Sequence, residues 1–219
     1  MTARGLLLDF GGVLTSSVGR MFRAFEDDHA LPKGTIFGIV RSAYGDGGAD
    51  SEIARLERGE LDTAVFDRAL ADRLAAAGHD VPADGLTRRL FAAMHPDGRL
   101  WDATRRLREA GVRTGVLSNS WGEGVYPGAE LFGTCFDTVV ISAEVGLRKP
   151  DPAIFRLAAE RLDLRPDACV FVDDLDTNVQ VARSLGMVGV HHDGDEDRVL
   201  AELTEAFGVD VTGAAAFRP

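Results

Sequence analysis

The 219-residue sequence has few cysteines and few lysines, and it has no long apolar run. Its two cysteines, Cys135 and Cys169, lie in or beside hydrophobic segments, which predicts reduced thiols in a core rather than a disulfide framework. No apolar run approaches the roughly 20 residues that a membrane-spanning helix needs. The leucines that follow Arg4 are too few for a secretory signal. A cytoplasmic protein is therefore the expectation.

Positive charge is also scarce. The 24 lysine and arginine residues are outnumbered by 35 acidic residues, which gives a formal net charge of −11. This excess of negative charge argues against nucleic acid or an anionic membrane as a partner. An anionic small-molecule substrate would have to be bound by a few local cations. We expect a monomer or a homodimer.

Hydrophobic patterning divides the chain into two kinds of segment. Short apolar strands alternate with helices over residues 99–207, and one more apolar strand precedes Asp9. This alternation predicts an α/β fold with a doubly wound, Rossmann-like parallel sheet. Residues 16–96 instead show helical periodicity throughout. We therefore predict a core domain formed by residues 1–15 and 97–219, with an inserted all-helical cap domain at residues 16–96.

Breaks rich in glycine and proline give approximate helix limits inside the predicted cap. The apolar spacing predicts helices over residues 17–30, 33–44, 51–58, 63–77 and 82–94. At the other end of the chain, the tail after Gly208 is expected to pack poorly.

Polar residues stand at the carboxyl ends of the predicted strands, where an open α/β sheet carries its chemistry. Asp9 follows one strand, Ser118 and Asn119 follow a second, and Asp173 and Asp174 follow a third. Carboxylate oxygens, completed by water and substrate phosphate, are the ligands that Mg²⁺ prefers. A hydroxyl and a backbone N–H at a strand end suit phosphate oxygens. The pattern indicates a single polar site at this edge of the sheet.

Lys149 supplies the positive charge that such a site needs. It is one of only two lysines in a chain with 22 arginines, so a lysine here indicates a requirement for a compact point charge. Clustered carboxylates repel one another, and an ammonium group together with Mg²⁺ keeps them ionised.

These segments resemble the four motifs of the haloacid dehalogenase superfamily. The motifs are Leu-Leu-Asp9-Phe-Gly-Gly-Val, Val-Leu-Ser118-Asn119-Ser, Arg-Lys149-Pro-Asp-Pro and Val-Phe-Val-Asp173-Asp174, the last followed by Asn178. Within the superfamily the chain is similar to phosphatases whose helical cap follows the first motif, such as the N-terminal phosphatase domain of soluble epoxide hydrolase. The resemblance implies hydrolysis of phosphate monoesters on small metabolites.

The resemblance also implies catalytic roles. Asp9 would attack phosphorus to form an aspartyl-phosphate, which water then hydrolyses. Ser118 and the backbone of Asn119 would bind the phosphoryl oxygens. Lys149 would bind the phosphoryl group and neutralise both it and Asp9.

A magnesium site follows from the same resemblance. Asp9, Asp174 and the carbonyl oxygen of Gly11 would bind Mg²⁺ directly. Asp173 would act through a metal-bound water, and Asn178 would orient the cluster.

Gly11 departs from the family pattern, in which most phosphatases carry a second aspartate two residues after the nucleophile. That aspartate acts as general acid and then as general base, and such groups typically contribute about 10² to 10⁴ in rate. Three interpretations stay open. The chain is a slow or specialised phosphatase, or a phosphate-ester-binding or partner-binding protein on a disabled scaffold, or an enzyme of other chemistry. The last class comprises a dehalogenase and a phosphonate hydrolase, for which Lys33 is the only cap lysine available as a Schiff base.

Substrate choice is expected from the cap. Arg20, with Arg23 and Arg41, lies on a predicted cap helix and is a candidate for contacting a second anionic group of the substrate. Trp121 either lines the mouth of the pocket or packs beneath a loop.

Overall fold

A single parallel sheet of five strands is found in the part of the chain that the computed structural model describes, residues 3–45, 48–96, 98–122 and 125–215. Its spatial order is β3-β2-β1-β4-β5. The strands are β1 (Gly5–Leu8), β2 (Arg113–Ser118), β3 (Thr138–Ile141), β4 (Cys169–Asp173) and β5 (Val188–His191). The predicted doubly wound α/β fold is confirmed.

Strand β1 lies at the point where the strand order reverses, because it pairs with β2 on one side and with β4 on the other. Leu8 is opposite Val116 of β2 and opposite Val172 of β4. The backbone N–H of Asp9 donates to the Val172 carbonyl at 2.9 Å. Open α/β sheets bind their ligands at this kind of crevice.

The helices fall into two groups along the chain. Those between β1 and β2 are α1 (Val18–Asp28), α2 (Thr35–Gly45), α3 (Glu52–Glu57), α4 (Thr63–Ala76) and α5 (Leu86–Leu90). Those that follow are α6 (Leu100–Glu109), α7 (Phe132–Cys135), α8 (Ser142–Val145), α9 (Pro152–Arg161), α10 (Asp176–Ser184) and α11 (Glu196–Phe207). Short 3-10 turns occupy Gly48–Asp50, Ala129–Leu131 and Pro166–Ala168.

The sheet is buried on both faces, as its unbroken apolar strands require. Successive side chains of β1 point to opposite faces. Leu7 belongs to a buried cluster with Ile154 and Phe155 of α9, whereas Leu6 and Leu8 belong to a larger cluster that includes α6, α11 and helices α1–α5. Helices α1–α5 and one face of the sheet therefore share a continuous apolar core.

The two connections between the sheet and helices α1–α5 lie side by side. Thr15 and Pro96 form an isolated antiparallel bridge, and the Ser16 N–H donates to the His95 carbonyl at 3.0 Å. The division into a core domain and a cap domain at residues 16–96 stays a prediction, and we propose this bridge as its hinge. Residue 97, where the predicted core segment resumes, lies outside the described residues.

The structure corrects two sequence-based expectations. Helix α5 spans only Leu86–Leu90, a much shorter segment than the predicted 82–94. Residues 209–215 of the tail do not pack poorly, because Val211 and Ala214 are buried in the main core. Within the described ranges, none of the helices is both long and apolar enough to cross a bilayer.

Candidate active site

Lys149 lies between two carboxylates at the carboxyl edge of the sheet. Its Nζ is 2.6 Å from Oδ1 of Asp9 and 2.7 Å from Oδ2 of Asp173. The lysine is buried, and Asp9 and Asp173 are buried with it. The structure therefore brings three of the predicted site residues into direct contact, from positions in the sequence that are far apart.

Asp173 and Asp174 have different surroundings although they are neighbours in the chain. Besides Lys149, Asp173 accepts hydrogen bonds from the Leu175 N–H at 2.8 Å and from Nδ2 of Asn178 at 3.0 and 3.1 Å. Asn178 lies in the first turn of α10, which holds it over the end of β4. Both Asp173 oxygens are thus occupied by protein donors, whereas no side chain in the described part of the chain donates to the Asp174 carboxylate.

The three carboxylates form a candidate metal centre. Ligand oxygens of Asp9, Asp173 and Asp174 all lie within 4.8 Å of one another. Hard oxygen donors of this kind suit Mg²⁺, and the partly exposed Asp174 carboxylate is available to a cation. The donor set therefore fits the metal that the sequence predicts.

Burial dominates the electrostatics of the cluster. It raises the pKa of Asp9 to about 7, against the lowering effect of Lys149, and Asp173 and Asp174 add to the rise. It also raises the pKa of Asp174 to about 6, with a further contribution from Asp173. Burial alone would lower the pKa of Lys149, but the charges of Asp173 and Asp9 outweigh it, and the pKa lies above its ordinary value. An additional cation would favour the ionised carboxylates.

The two glycines after Asp9 differ in how closely they are packed. Gly12 has φ +81°, and a Cβ there would lie 2.6 Å from Oδ2 of Asp174. Only glycine allows this turn to pass so close to Asp174. A Cβ at Gly11 would meet only Cγ2 of Val18, at an ordinary 3.6 Å. The position that lacks the family's second aspartate therefore has room for a side chain.

Asn119 connects the end of β2 with the Lys149 loop. Its Oδ1 accepts from the Lys149 N–H at 2.8 Å, and its Nδ2 donates to the Lys149 carbonyl at 3.1 Å. The side chain is thereby committed to positioning Lys149. A role for Asn119 in binding phosphate would fall to its backbone N–H, as the sequence predicts.

Tyr126 is a site residue that the sequence analysis missed. Its hydroxyl donates to Oγ of Ser118 at 3.3 Å, and its ring lies 4.9 Å from the Phe10 ring between centroids. Tyr126 and Ser120 also line a cleft of about 1040 Å³ between helices α3–α5 and the loops that follow β2 and β3. Burial raises the pKa of Tyr126 to about 12, so the phenol keeps its proton at neutral pH.

Glu57 is a second residue that was missed, and it ties α3 to the loop that carries Lys149. This buried carboxylate pairs with Nε of Arg148 and accepts a 2.6 Å hydrogen bond from the Tyr44 hydroxyl of α2. The Arg148 guanidinium also lies 5.8 Å from the centroid of the Tyr44 ring. One feature of the sequence points to the Tyr126 contact and to the Glu57 contact: each involves a tyrosine, and the chain has only two tyrosines, Tyr44 and Tyr126.

The remaining predicted residues lie on the cap or next to it. Arg20 is exposed on α1, and Lys33 is exposed in the turn before α2. Their predicted contacts with substrate stay predictions. The Trp121 ring packs against the rings of Phe66 in α4 and of Phe91, at centroid distances of 6.0 and 5.4 Å. Of the two roles predicted for Trp121, the structure therefore shows packing.

Three known proteins are similar to this chain in sequence. It is 34% identical to acyl-CoA dehydrogenase family member 10 of Mus musculus over 90% of this chain and 18% of that protein. It is 27% identical to bifunctional epoxide hydrolase 2 of Sus scrofa over 100% of this chain and 41% of that protein. It is 36% identical to glyceraldehyde 3-phosphate phosphatase of Methanopyrus kandleri over 46% of this chain and 44% of that protein. The chain spans less than half the length of each.

The fold matches that of a haloacid dehalogenase family enzyme from Bacteroides thetaiotaomicron, solved in complex with magnesium and inorganic phosphate. The TM-score is 0.62 at 21% identity, over 86% of this chain and 93% of that chain. The model of the haloacid dehalogenase-like hydrolases matches residues 3–186, which includes every strand end that carries a site residue. By its fold, its motifs and this match, the chain belongs to the haloacid dehalogenase-like hydrolases.

Proposed function

We propose that the protein is a Mg²⁺-dependent phosphatase that hydrolyses a small phosphorylated metabolite through an aspartyl-phosphate on Asp9. The observation that carries the proposal is the contact of Lys149 with both Asp9 and Asp173, beside the available carboxylate of Asp174. Relatives named as phosphatases support a hydrolase of phosphatase type.

The first step requires an ionised Asp9 close to positive charge. An Asp9 oxygen forms a bond to phosphorus while the bond from phosphorus to the leaving oxygen breaks. Lys149, 2.6 Å from Asp9, stabilises the charge that the phosphoryl group carries through the transition state. Mg²⁺, when bound by Asp9, Asp174 and the Gly11 carbonyl, supplies further positive charge to the phosphoryl oxygens.

The second step returns Asp9 to its starting state. Water attacks phosphorus, the bond to Asp9 breaks, and inorganic phosphate leaves. Ser118 and the backbone of Asn119 bind phosphoryl oxygens in both steps. Asp173, with both oxygens already occupied by protein donors, holds Lys149 in place and would contact a bound metal through water.

Asp9→Asn tests the proposal, because an amide is too weak a nucleophile to attack phosphorus. We expect hydrolysis of a phosphate-ester panel, with acyl and sugar-1 phosphates included, to fall to background. The parent should trap beryllium trifluoride on Asp9 when Mg²⁺ is present, and the variant should not. Turnover by the variant close to that of the parent would exclude Asp9 as the nucleophile.

Gly11 favours one alternative, a phosphate-ester-binding protein on a catalytically weakened scaffold. A glycine there cannot transfer a proton, whereas most phosphatases of the family carry an aspartate. The same fluoride experiment separates the two functions. A binding protein would bind phosphate esters with Mg²⁺ but would turn over none of them.

A further inference from the structure

We propose that Tyr126 donates the proton to the leaving oxygen, in place of the carboxylic acid that Gly11 lacks. The inference rests on the proposed phosphatase function. It starts from position, because the Tyr126 hydroxyl lies 3.3 Å from Oγ of Ser118 and the same side chain lines the cleft beneath helices α3–α5. We place the organic part of a substrate whose phosphoryl group is bound by Ser118 in this cleft, which would put its leaving oxygen on the side of Tyr126.

The hydrogen bonds around the hydroxyl are weak enough to be exchanged. Tyr126 donates to Ser118, and Ser118 donates to the Asn119 carbonyl, both at 3.3 Å. Hydrogen bonds between hydroxyl and oxygen are normally 2.5–3.0 Å long. When substrate binds, both hydroxyls can turn toward it at little cost. Ser118 then faces a phosphoryl oxygen and Tyr126 faces the leaving oxygen.

Neighbouring aromatic rings fix the position of the Tyr126 side chain. Phe10 lies 4.9 Å away between ring centroids, and Phe132 lies 6.4 Å away in an edge-on arrangement. Phe10 directly follows Asp9, so the tyrosine is fixed to the same turn as the nucleophile. Burial keeps the phenol protonated, with its pKa raised to about 12, which is still acidic enough to protonate an alkoxide.

Tyr126 gives up a proton in the first step and regains one in the second. As the bond from phosphorus to the leaving oxygen breaks, the phenol proton moves to that oxygen, and an alcohol and a phenolate result. The phenolate then accepts a proton from the water that attacks the aspartyl-phosphate. Inorganic phosphate leaves, and the Tyr126 phenol and the Asp9 carboxylate are restored.

Tyr126→Phe removes the hydroxyl and keeps the ring. We expect kcat/KM for alkyl phosphates to fall by about 10²-fold or more, the range for a positioned acid. Aryl and acyl phosphates, which leave as stabilised anions, should change by only a few-fold. Tyr44→Phe is the matched control: it removes a hydroxyl that contacts Glu57, so any loss of kcat should be equal for alkyl and aryl phosphates, and their ratio should stay unchanged. Gly11→Asp in the Tyr126→Phe background should restore part of the alkyl activity.

Two outcomes overturn the proposal in distinguishable ways. Equal losses for alkyl and aryl phosphates would mean that the hydroxyl only positions Ser118, and the phosphatase function would stand. A parent protein that hydrolyses no phosphate ester and traps no fluoride would remove the phosphatase function, and the role of Tyr126 with it.

Because the chain has only two tyrosines, a second test can keep the Tyr126 hydroxyl and change only its acidity. In the Tyr44→Phe variant, 3,5-difluorotyrosine supplied during expression replaces Tyr126 alone. Fluorination makes the phenol more acidic with little change in size. The alkyl-to-aryl ratio should shift with this acidity, and an unchanged ratio would contradict proton donation by Tyr126.

Discussion

Asp173 and Asp174 show how two identical side chains acquire different functions from their contacts. Asp173 is fully buried and accepts from Lys149, Asn178 and the Leu175 N–H. The Asp174 carboxylate faces the turn at Gly12 and is partly exposed. A buried, fully bonded carboxylate is part of the protein framework, whereas an available one can bind a cation.

Substitution by alanine should separate these roles. Asp174→Ala should reduce Mg²⁺ affinity sharply and leave the fold intact. Asp173→Ala should reduce affinity less, but it should lower the free energy of unfolding by about 3–5 kcal/mol, because Lys149 and Asn178 lose a buried partner. Calorimetric titration with Mg²⁺ and chemical denaturation without it provide the two measurements. Parent-like Mg²⁺ affinity in both variants would remove the metal assignment.

Gly11→Asp tests whether a missing acid is what limits the reaction. A Cβ at this position would meet only Val18, at 3.6 Å, so the turn has space for one. Because we propose that Tyr126 already supplies the proton, kcat/KM for alkyl phosphates should rise by no more than a few-fold in the parent background, well below the roughly 10²-fold or more that a positioned acid contributes where none is present. The increase should be small for aryl phosphates, whose leaving groups need no proton.

Gly12→Ala is the matched control for that experiment. Its Cβ would lie 2.6 Å from Asp174 at a φ of +81°, so Mg²⁺ affinity should fall and no activity should be gained. A rise of about 10²-fold or more for alkyl phosphates in a folded, Mg²⁺-binding Gly11→Asp variant would show that the parent lacks a proton donor, and it would contradict the role of Tyr126.

At the scale of the elements, the sequence predicts the strands better than the short helices. A short apolar run such as Leu6-Leu7-Leu8, followed closely by glycines, is typical of a strand that is buried on both faces of a parallel sheet. Helices α7 and α8 have four residues each, which is too few for a 3.6-residue period to appear. The burial of Val211 depends on contacts with the main core, which no local pattern encodes.

In the candidate site too, residues with a local sequence pattern were predictable and residues that depend on distant contacts were not. Asp9, Ser118 and Asp173 were predictable because each directly follows or closes an apolar strand, and parallel strands end at a shared edge. Tyr126 and Glu57 carry no such signal. Glu57 meets Arg148 across 91 residues of sequence, and this contact exists only because α3 folds over the loop after β3.

The contact between Glu57 and Arg148 predicts that α3 stabilises the loop that carries Lys149. Glu57→Gln preserves shape and removes the charge that pairs with Arg148, the residue before Lys149. We expect the free energy of unfolding to fall by about 1–3 kcal/mol, the usual cost of leaving a buried polar group poorly paired. Phosphatase kcat should fall as well, because the Lys149 loop loses its contact with α3.

Glu60→Gln is the matched control for Glu57→Gln. Glu60 pairs with Arg58 at the surface, where an ion pair contributes little. This variant should resemble the parent in both stability and kcat. If Glu57→Gln behaved like Glu60→Gln, the contact between α3 and the loop would be incidental to both properties.

At the scale of the whole molecule, the net charge is −11, and the clustered carboxylates add local repulsion between negative charges. A bound cation would reduce this repulsion. In the metal-free protein, burial raises the pKa of Asp9 to about 7 and that of Asp174 to about 6, from an ordinary value of 3.8. The folded state therefore holds protons that the unfolded chain releases between about pH 4 and 7. Stability contributed by these groups decreases as pH rises through this window.

Mg²⁺ should reverse this loss, because the cation and the protons compete for the same oxygens. We expect the melting temperature of the metal-free protein to fall between pH 5 and 7 relative to that of Asp174→Asn, in which one of the titrating groups is absent. Added Mg²⁺ should raise the melting temperature of the parent most at pH 7 and above, and little near pH 5. Thermal unfolding of both proteins across this pH range, with and without Mg²⁺, measures the difference directly. A parent whose metal-free stability rises through the window relative to the variant would contradict the raised pKa values, and with them the view that Asp9 and Asp174 are held ready for a cation.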